Sequence, residues 1–373
     1  MQNHRHKILI IGGGLGGLVL AIRLLRNGVP CALIEKRSYP FHRVCGEYIS
    51  NEIRPFLERE SLFPHEIKAT EINEFQLSAV SGNQTILPLD LGGFGLSRYY
   101  FDKYLFDIAL NEGLTFFQEE AQQISFDGKI FTVNGSKHEH TAEILVCAYG
   151  KRSRLDKQLN RSFIQKRSPY VGVKYHARLE YPANRVALHN FEKGYCGINR
   201  IENGIINICY LSHRDNLKAY KDIKEMEENV LFKNPHLKSI FKNADFIFEK
   251  PEVINEISFE TKGPVEQNCL MIGDAAGMIT PLNGNGMAMA IQSAYILSEL
   301  LIDTCKSDAL QRELLNNAYS AAWHKLFYAR LQRGRIVQKL FGNTTLSDLA
   351  VKLVTHVKPM ARYLIKHSHG DVF

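Results

Sequence analysis

The sequence predicts an α/β protein with a discontinuous Rossmann-like nucleotide-binding domain, an inserted β-sheet domain and a helical C-terminal region. Three observations predict it. An apolar run at 8–11 breaks into glycines spaced G-x-G-x-x-G at Gly12, Gly14 and Gly17, then passes into an apolar, Ala-containing stretch at 18–25. That is the strand, tight turn and helix start of a dinucleotide-binding unit. The middle of the chain, about 170–211, alternates in strand fashion. Near residue 270 the apolar Cys269-Leu270-Met271-Ile272 runs into Gly273-Asp274, and a helical pattern fills most of the remaining chain. A nucleotide unit that is left and re-entered implies an inserted domain. The division read from this order is 1–72, 95–168 and 252–310 for the nucleotide domain, 73–94 and 169–251 for the substrate sheet, and 311–373 for the helical region.

Each element follows from local pattern. Residues 46–60 read as a helix. Segments 73–80 and 85–89 read as strands joined by Ser-Gly-Asn. Leu96-Ser97-Arg98 starts a helix that runs to about Asn111, with Leu105, Phe106, Ile108 and Ala109 as its apolar positions. Short strands follow near 115–118, 122–126 and 129–133, and Ile144-Leu145-Val146-Cys147 reads as a buried strand. Segments 170–180, 186–191, 195–200 and 204–211 are strands, 215–232 is a polar helix, and helices fill most of 286–367.

The 373 residues can bury a large core, and 45% hydrophobic with 23% charged residues are globular values. No apolar run reaches the roughly 18–20 residues that span a bilayer. The opening Met-Gln-Asn-His-Arg-His-Lys leads straight into the first strand and leaves no room for a signal peptide, so a cytoplasmic protein is expected. The seven cysteines are scattered without a C-x-x-C pair. That excludes a zinc knuckle and argues against a disulfide framework; no metal is expected. The net charge of +7 is not arranged as a basic stripe with interleaved aromatics, so no nucleic acid is expected.

Each glycine has a task in the first motif. Gly12 permits the sharp turn, Gly14 lets a pyrophosphate approach the backbone, and Gly17 lets the helix pack on the strand. The helix N-terminus presents free N–H groups and a positive dipole end to phosphates. The second strand, Cys31-Ala32-Leu33-Ile34, ends in Glu35, 18 residues past Gly17, where a carboxylate can accept both ribose hydroxyls. Lys36 and Arg37 come next, but Glu35 would repel a 2′-phosphate, which favours an unphosphorylated adenosine.

The second motif spans 272–293, Ile-Gly-Asp-Ala-Ala-Gly-Met-Ile-Thr-Pro-Leu-Asn-Gly-Asn-Gly-Met-Ala-Met-Ala-Ile-Gln-Ser. An acid at a strand end can bond a polyol hydroxyl. Amides of the loop and helix start can stabilise an anion.

With both motifs in view, the sequence resembles the FAD-dependent group that includes aromatic hydroxylases, geranylgeranyl reductases and flavin halogenases. The resemblance covers about 7–60, 95–155 and 268–305. It implies that Gly12, Gly14, Gly17, Glu35 and Lys36 lie at the ADP half of FAD. Gly273 and Asp274 would serve the ribityl chain, Pro281 the flavin face, and Gly284, Asn285, Gly286 and Met287 the pyrimidine edge. Phe41-His42-Arg43-Val44-Cys45-Gly46-Glu47 resembles the Lys/Arg-x-Cys-Gly-Glu stretch of geranylgeranyl reductases, which lies near the flavin. This places Arg43 at the cofactor and makes His42, Cys45 and Glu47 catalytic candidates. Cys45 has an inert-core reading, and His42 and Glu47 have a surface hydrogen-bonding one. Arg98 in Leu96-Ser97-Arg98-Tyr99-Tyr100-Phe101-Asp102 resembles the family arginine that reaches the cofactor.

The sequence also departs from the family. Tyr149 in Val146-Cys147-Ala148-Tyr149-Gly150 stands where the family has an acid, which puts direct use of NAD(P)H in question; a separate reductase is the alternative donor. The halogenase Trp-x-Trp-x-Ile-Pro signature is missing, and Trp323 is the only tryptophan. The reading is an FAD-dependent oxidoreductase of the geranylgeranyl-reductase-like branch, reducing a double bond in a bulky apolar or aromatic small molecule. The alternatives are hydroxylation of an aromatic or polyketide-type substrate, and electron carriage without turnover. Tyr175, Phe191, Tyr195 and Tyr210 in the inserted sheet are substrate candidates, each with a core alternative. The basic C-terminal residues, among them Lys325, Arg330, Arg333, Arg335, Lys339, Lys352, Lys358, Arg362 and Lys366, suit either a solvated helical face or a peripheral membrane contact.

Overall fold

A computed structural model describes residues 3–280, 284–307, 309–338, 344–356 and 370–373. Its first sheet has five parallel strands in the order Thr115–Gln118, Cys31–Glu35, Asn3–Ile11, Glu139–Cys147, Cys269–Met271. The 8–11 run is apolar at every position because both faces of this strand are covered, and Ile8, Leu9 and Ile10 are fully buried. Helix Leu15–Arg26 packs against Gly286–Cys305 and Arg98–Asn111. The strands Ala121–Phe126 and Phe131–Gly135 form a hairpin that pairs with the first half of Glu139–Cys147.

Among the described residues the second sheet has nine strands. Its centre is the antiparallel run Tyr170–Arg178, Ile206–His213, Gly194–Arg200, Arg185–Phe191. Thr70–Ser78 joins this run in parallel, and Gln84–Gly95 completes a hairpin with Thr70–Ser78. Tyr48–Ser50 and Glu252–Ile257 also pair into this sheet, although both lie in stretches the sequence division gives to the nucleotide domain.

Two expected helices differ in the structure. Residues 46–60 do not form one helix: Tyr48–Ser50 is a strand, Asn51–Ile53 a 3-10 turn and only Arg54–Arg59 is α-helical. Glu47, at φ 53°, occupies the left-handed region, where a helix cannot begin. The 215–232 segment is broken into Arg214–Lys218, Ile223–Asn229 and a 3-10 turn at Leu231–Lys233. Asp222 caps the second piece by accepting from the Glu225 N–H at 2.9 Å, which marks a new start rather than a continuation.

The two faces of the second sheet differ. Val171, Val173, Tyr175, Phe191, Ile208 and Tyr210 point to a core covered by Ile223–Asn229 and Pro235–Asn243. Inside that core, Glu227 accepts hydrogen bonds from the hydroxyls of Tyr175 (2.9 Å) and Tyr210 (2.7 Å). Burial pushes the Glu227 carboxyl up to about 7, against the lowering effect of the two tyrosines. The folded state therefore holds this proton more firmly than the unfolded chain. The resulting stability is present in full below about pH 4.5 and is lost as pH rises through about 7. Glu227→Gln should match the wild type near pH 4 and exceed it by about 1–3 kcal/mol at pH 8. Urea unfolding at the two pH values checks this; an equal offset at both would show that the carboxyl does not titrate in this range.

Candidate functional site

The glycine turn is shaped by contact. Gly12 has φ +110°, and a Cβ there would sit 2.5 Å from the Ala148 carbonyl oxygen. A Cβ on Gly17 would run into the Gly12 carbonyl oxygen, so this helix can approach its strand only with glycine. Gly14 is the N-cap of Leu15–Arg26 without a side-chain cap, and the first turn has no acidic residue. Its leading N–H groups are open to an anion. An Arg98 guanidinium nitrogen lies 3.5 Å from the Cβ position of Gly14. Asp102 holds that guanidinium through two contacts, 2.6 and 2.7 Å. Arg43 bridges Asp102 (3.0 Å) and Glu35 (3.4 Å), and Glu35 also accepts the Gly13 N–H at 3.0 Å. Lys36 sits at the same end, 3.7 Å from Glu120.

The second motif lies across the cavity. Gly273 donates its N–H to the Ser293 hydroxyl at 3.0 Å. Asp274, Gly284, Gly286 and Met287 line the cavity. Asn285 is buried and N-caps the 20-residue helix Gly286–Cys305, whose first turn carries no acid. Pro281 lies outside the described residues. Lys262, which no motif in the sequence marks, is buried and donates to the carbonyls of Asp274 (2.9 Å) and Lys151 (2.7 Å). Burial lowers its ammonium to about 8, against the opposing charge of Asp274.

Between these poles runs the loop 42–47, fastened to the second sheet. Glu47 is fully buried. Its carboxylate accepts from the Lys174 ammonium at 2.5 Å, His176 Nε2 at 2.7 Å and the Arg98 backbone N–H at 2.8 Å. Burial alone would raise its pKa, but the Lys174 charge and the His176 contact outweigh that and bring it down to about 2. Glu47 is therefore an ionised anchor and has no surface hydrogen-bonding role. The loop carbonyls are satisfied in series: Arg43 by Lys174 (3.1 Å), Val44 by Lys151 (3.4 Å), Gly46 by Asn207 (2.8 Å) and Glu47 by the Leu96 N–H (3.1 Å). This arrangement puts Cys45 and His42 on the cavity wall. His42 packs on Tyr99, His176 and Phe248, with centroids 4.6–5.1 Å away. Burial, with the Lys174 charge, lowers its pKa to about 4, so the ring is neutral at pH 7.

Tyr149 also lines the cavity and donates its hydroxyl to Asp156 at 2.8 Å. Burial, then the neighbouring Cys147 and Asp156, hold that hydroxyl far above its ordinary pKa. Asp156 pairs with Arg161 at 3.0 Å, and Arg161 donates to the Ala275 carbonyl at 2.9 Å. A buried acid thus organises this end of the sheet, seven residues after the position where the family pattern has one.

The cavity measures about 970 Å³. Its far wall is apolar and includes Leu188, Tyr195, Leu211, Ile257 and Met278. Of the four substrate candidates, Tyr195 faces this space. Tyr175 and Phe191 do not: they belong to the core on the opposite face of the sheet. Tyr210 borders the cavity, but its hydroxyl is engaged by Glu227 on the far side. Strand alternation decides this, because Tyr195, Gly197 and Asn199 share one face while Cys196 and Ile198 share the other. The same alternation, with Gly172, Lys174 and His176 set against Val171, Val173 and Tyr175, was the signal for the buried polar anchors. Among the C-terminal basic residues, Arg330 is buried against Glu52 at 3.0 Å and is not part of an exposed basic face. Lys339, Lys358, Arg362 and Lys366 lie outside the described residues. No helix among the described residues is long and apolar enough to cross a membrane.

Comparison with known proteins adds to this geometry. The sequence pattern of an NAD(P)-binding Rossmann-like domain matches residues 10–48, and that of squalene epoxidase matches 141–340. The digeranylgeranylglycerophospholipid reductase of Methanocaldococcus jannaschii is 25% identical over 91% of this chain and 88% of its own length. A geranylgeranyl bacteriochlorophyll reductase-like protein of Thermoplasma acidophilum superposes with TM-score 0.79 at 18% identity, covering 98% of this chain and 96% of its own. The halogenase PltM, solved with phloroglucinol and FAD, superposes with TM-score 0.75 at 17% identity, covering 97% of this chain and 85% of its own.

The Glu47–Lys174 pair should behave as one unit. Glu47→Gln leaves the Lys174 charge buried and should cost about 3–5 kcal/mol. Adding Lys174→Met should recover most of that loss. Denaturant unfolding of both single variants and the double variant checks this; purely additive losses would show that the two side chains are not coupled.

Proposed function

The chain belongs to the squalene epoxidase family and is an FAD-dependent oxidoreductase, and we propose that it reduces a carbon–carbon double bond in a bulky apolar or aromatic small molecule. One observation carries this reading: a single cavity joins the glycine turn and Asp274 to an apolar wall on the second sheet. FAD, when bound, supplies hydride chemistry at its ring system. The cradle suits it: Gly12 and Gly17 leave space that a Cβ would fill, and the two helix starts are free of acidic residues. In this reading Glu35 takes the ribose hydroxyls, Arg98 lies beside the pyrophosphate, Asp274 takes the ribityl chain, and the amides at 284–287 face the pyrimidine edge.

Reduction of a double bond also needs a proton at the second carbon. Glu47 is held ionised and His42 is a neutral imidazole whose remaining N–H is a very weak acid, so neither suits the role of proton donor at pH 7. The Cys45 thiol on the wall is the donor in this proposal. Leu188, Leu211 and Met278 exclude water and hold the apolar body of the substrate. The relative named for reducing a digeranylgeranylglycerophospholipid supports the same substrate class. The squalene epoxidase pattern over 141–340 favours a second reading, monooxygenation of a similar molecule. Tyr149, tied to Asp156, supports a separate reductase as electron donor in place of direct NAD(P)H use.

Asp274→Ala should weaken FAD by a charge-assisted contact, about 1.5–3 kcal/mol, while Asp303→Ala, exposed near the end of helix Gly286–Cys305, should not. Flavin content after gel filtration checks this, and equal retention in both would remove Asp274 from the site. For the reaction, the protein is reduced anaerobically with dithionite and given a polyprenyl alcohol. A product heavier by two hydrogens supports reduction. A product heavier by one oxygen, formed only when air is admitted, refutes it in favour of monooxygenation. NADPH in place of dithionite should bleach the flavin slowly; bleaching at rates on the order of 1–10³ s⁻¹ would refute the separate donor.

A further inference from the structure

At the edge of the first sheet four imidazoles cluster, and two of them meet one carboxylate. His4 and His6 lie on the first strand, His138 precedes the strand Glu139–Cys147, His140 lies within it opposite His4, and Glu119 follows Thr115–Gln118. Their rings surround Phe117, with centroids 4.9 Å (His4), 5.7 Å (His6) and 4.5 Å (His140) from it. Glu119 Oε1 is 3.0 Å from His138 Nδ1 and 2.9 Å from His140 Nε2. One donor atom from each of these three residues lies within 4.8 Å of the other two.

We propose that Glu119, His138 and His140 bind a divalent transition-metal ion of the zinc class, which clips the start of strand Glu139–Cys147 to the end of edge strand Thr115–Gln118. Two imidazoles and a carboxylate are the donor set such an ion takes. With metal–ligand bonds of about 2.0–2.1 Å, tetrahedral donors sit about 3.3 Å apart, so the three groups need only small shifts. The outer contacts already orient them. Glu119 Oε2 accepts the backbone N–H groups of Lys137 (2.8 Å) and His138 (3.1 Å). The second nitrogen of His140 faces His6 Nε2 at 3.2 Å. Four imidazoles also exceed what one carboxylate can satisfy. His4 Nε2 is buried without a hydrogen-bond partner among the described residues, and its ring lies 5.2 Å from His138 and 5.6 Å from His140. His4 thus stands beside the three ligands, whose fourth position is left to water. The His138 side chain is 31% exposed, which leaves an entry path. Binding would displace the protons that now join the two histidines to Glu119. The pattern escapes a spacing search because its ligands come from three separate elements.

The test uses untagged, FAD-loaded, chelator-treated protein. It is titrated with Zn²⁺ against a chromogenic chelator and, separately, with Co²⁺. We expect one equivalent bound, and Co²⁺ absorption bands to the red of the flavin with the intensity of a four-coordinate site. His138→Ala and Glu119→Gln should each weaken binding by on the order of 10–100-fold or more. His65→Ala, at an exposed pair with Glu58 elsewhere, should leave it unchanged. If Glu119→Gln fails to fold, His138→Ala in the half-exposed turn before strand Glu139–Cys147, checked for unchanged flavin content, carries the test. Absence of stoichiometric binding, or wild-type affinity in His138→Ala, would overturn the proposal.

Discussion

Glu47 carries a negative charge where water does not reach it, and the structure is arranged so that this charge is never left alone. Lys174 and His176 meet it from the second sheet, and the first N–H of Arg98–Asn111 meets it from the nucleotide domain. A buried ion pair adds little net stability over an apolar substitute, but breaking one is costly. Its effect is on position: it holds the 42–47 loop where Glu47 meets both Lys174 and His176. The positive φ of Glu47 fits that view, since a sparsely populated backbone state persists only where its surroundings over-determine it.

Position matters because the loop is the seam of the molecule. On one side stand the glycine turn, Glu35, Arg43 and Arg98, linked through Asp102. On the other stands the near face of the second sheet. Consecutive loop carbonyls are satisfied by Lys174, Lys151 and Asn207, so the wall that carries Cys45 and His42 cannot drift without breaking several buried contacts at once. The cavity is thus bounded by a polar strap between the glycine-turn pole and an apolar pole. A redox cofactor site needs this arrangement, because the protein's part of such chemistry is orientation and the exclusion of water.

Much of the first sheet was legible in the residues. The G-x-G-x-x-G turn, Glu35 at a strand end, the Ser97 cap before Arg98–Asn111 and the Gly273-Asp274 strand end all rest on short-range rules of turn chemistry and capping. The inserted sheet was legible as strands, because apolar alternation is local. The facing of its aromatic residues was not read correctly at Tyr175 and Phe191, because alternation states that two faces differ but not which one a helix will cover. The expected helix at 46–60 failed at Glu47, whose conformation is set by partners more than 125 residues away.

The amino-acid sequence alone determined the nucleotide-binding turn, the α/β class and the type of chemistry the chain can hold, since these follow from glycine sterics, strand period and helix ends within a few dozen residues. Folding in three dimensions decided the rest: which sheet face became the cavity wall, that Glu47 is an anchor instead of an acid or base, and that His138 and His140 converge on Glu119 with His4 and His6 packed beside them. Those outcomes depend on charges and rings brought together from distant segments, and each group gains its burial and its partner only after the chain has closed.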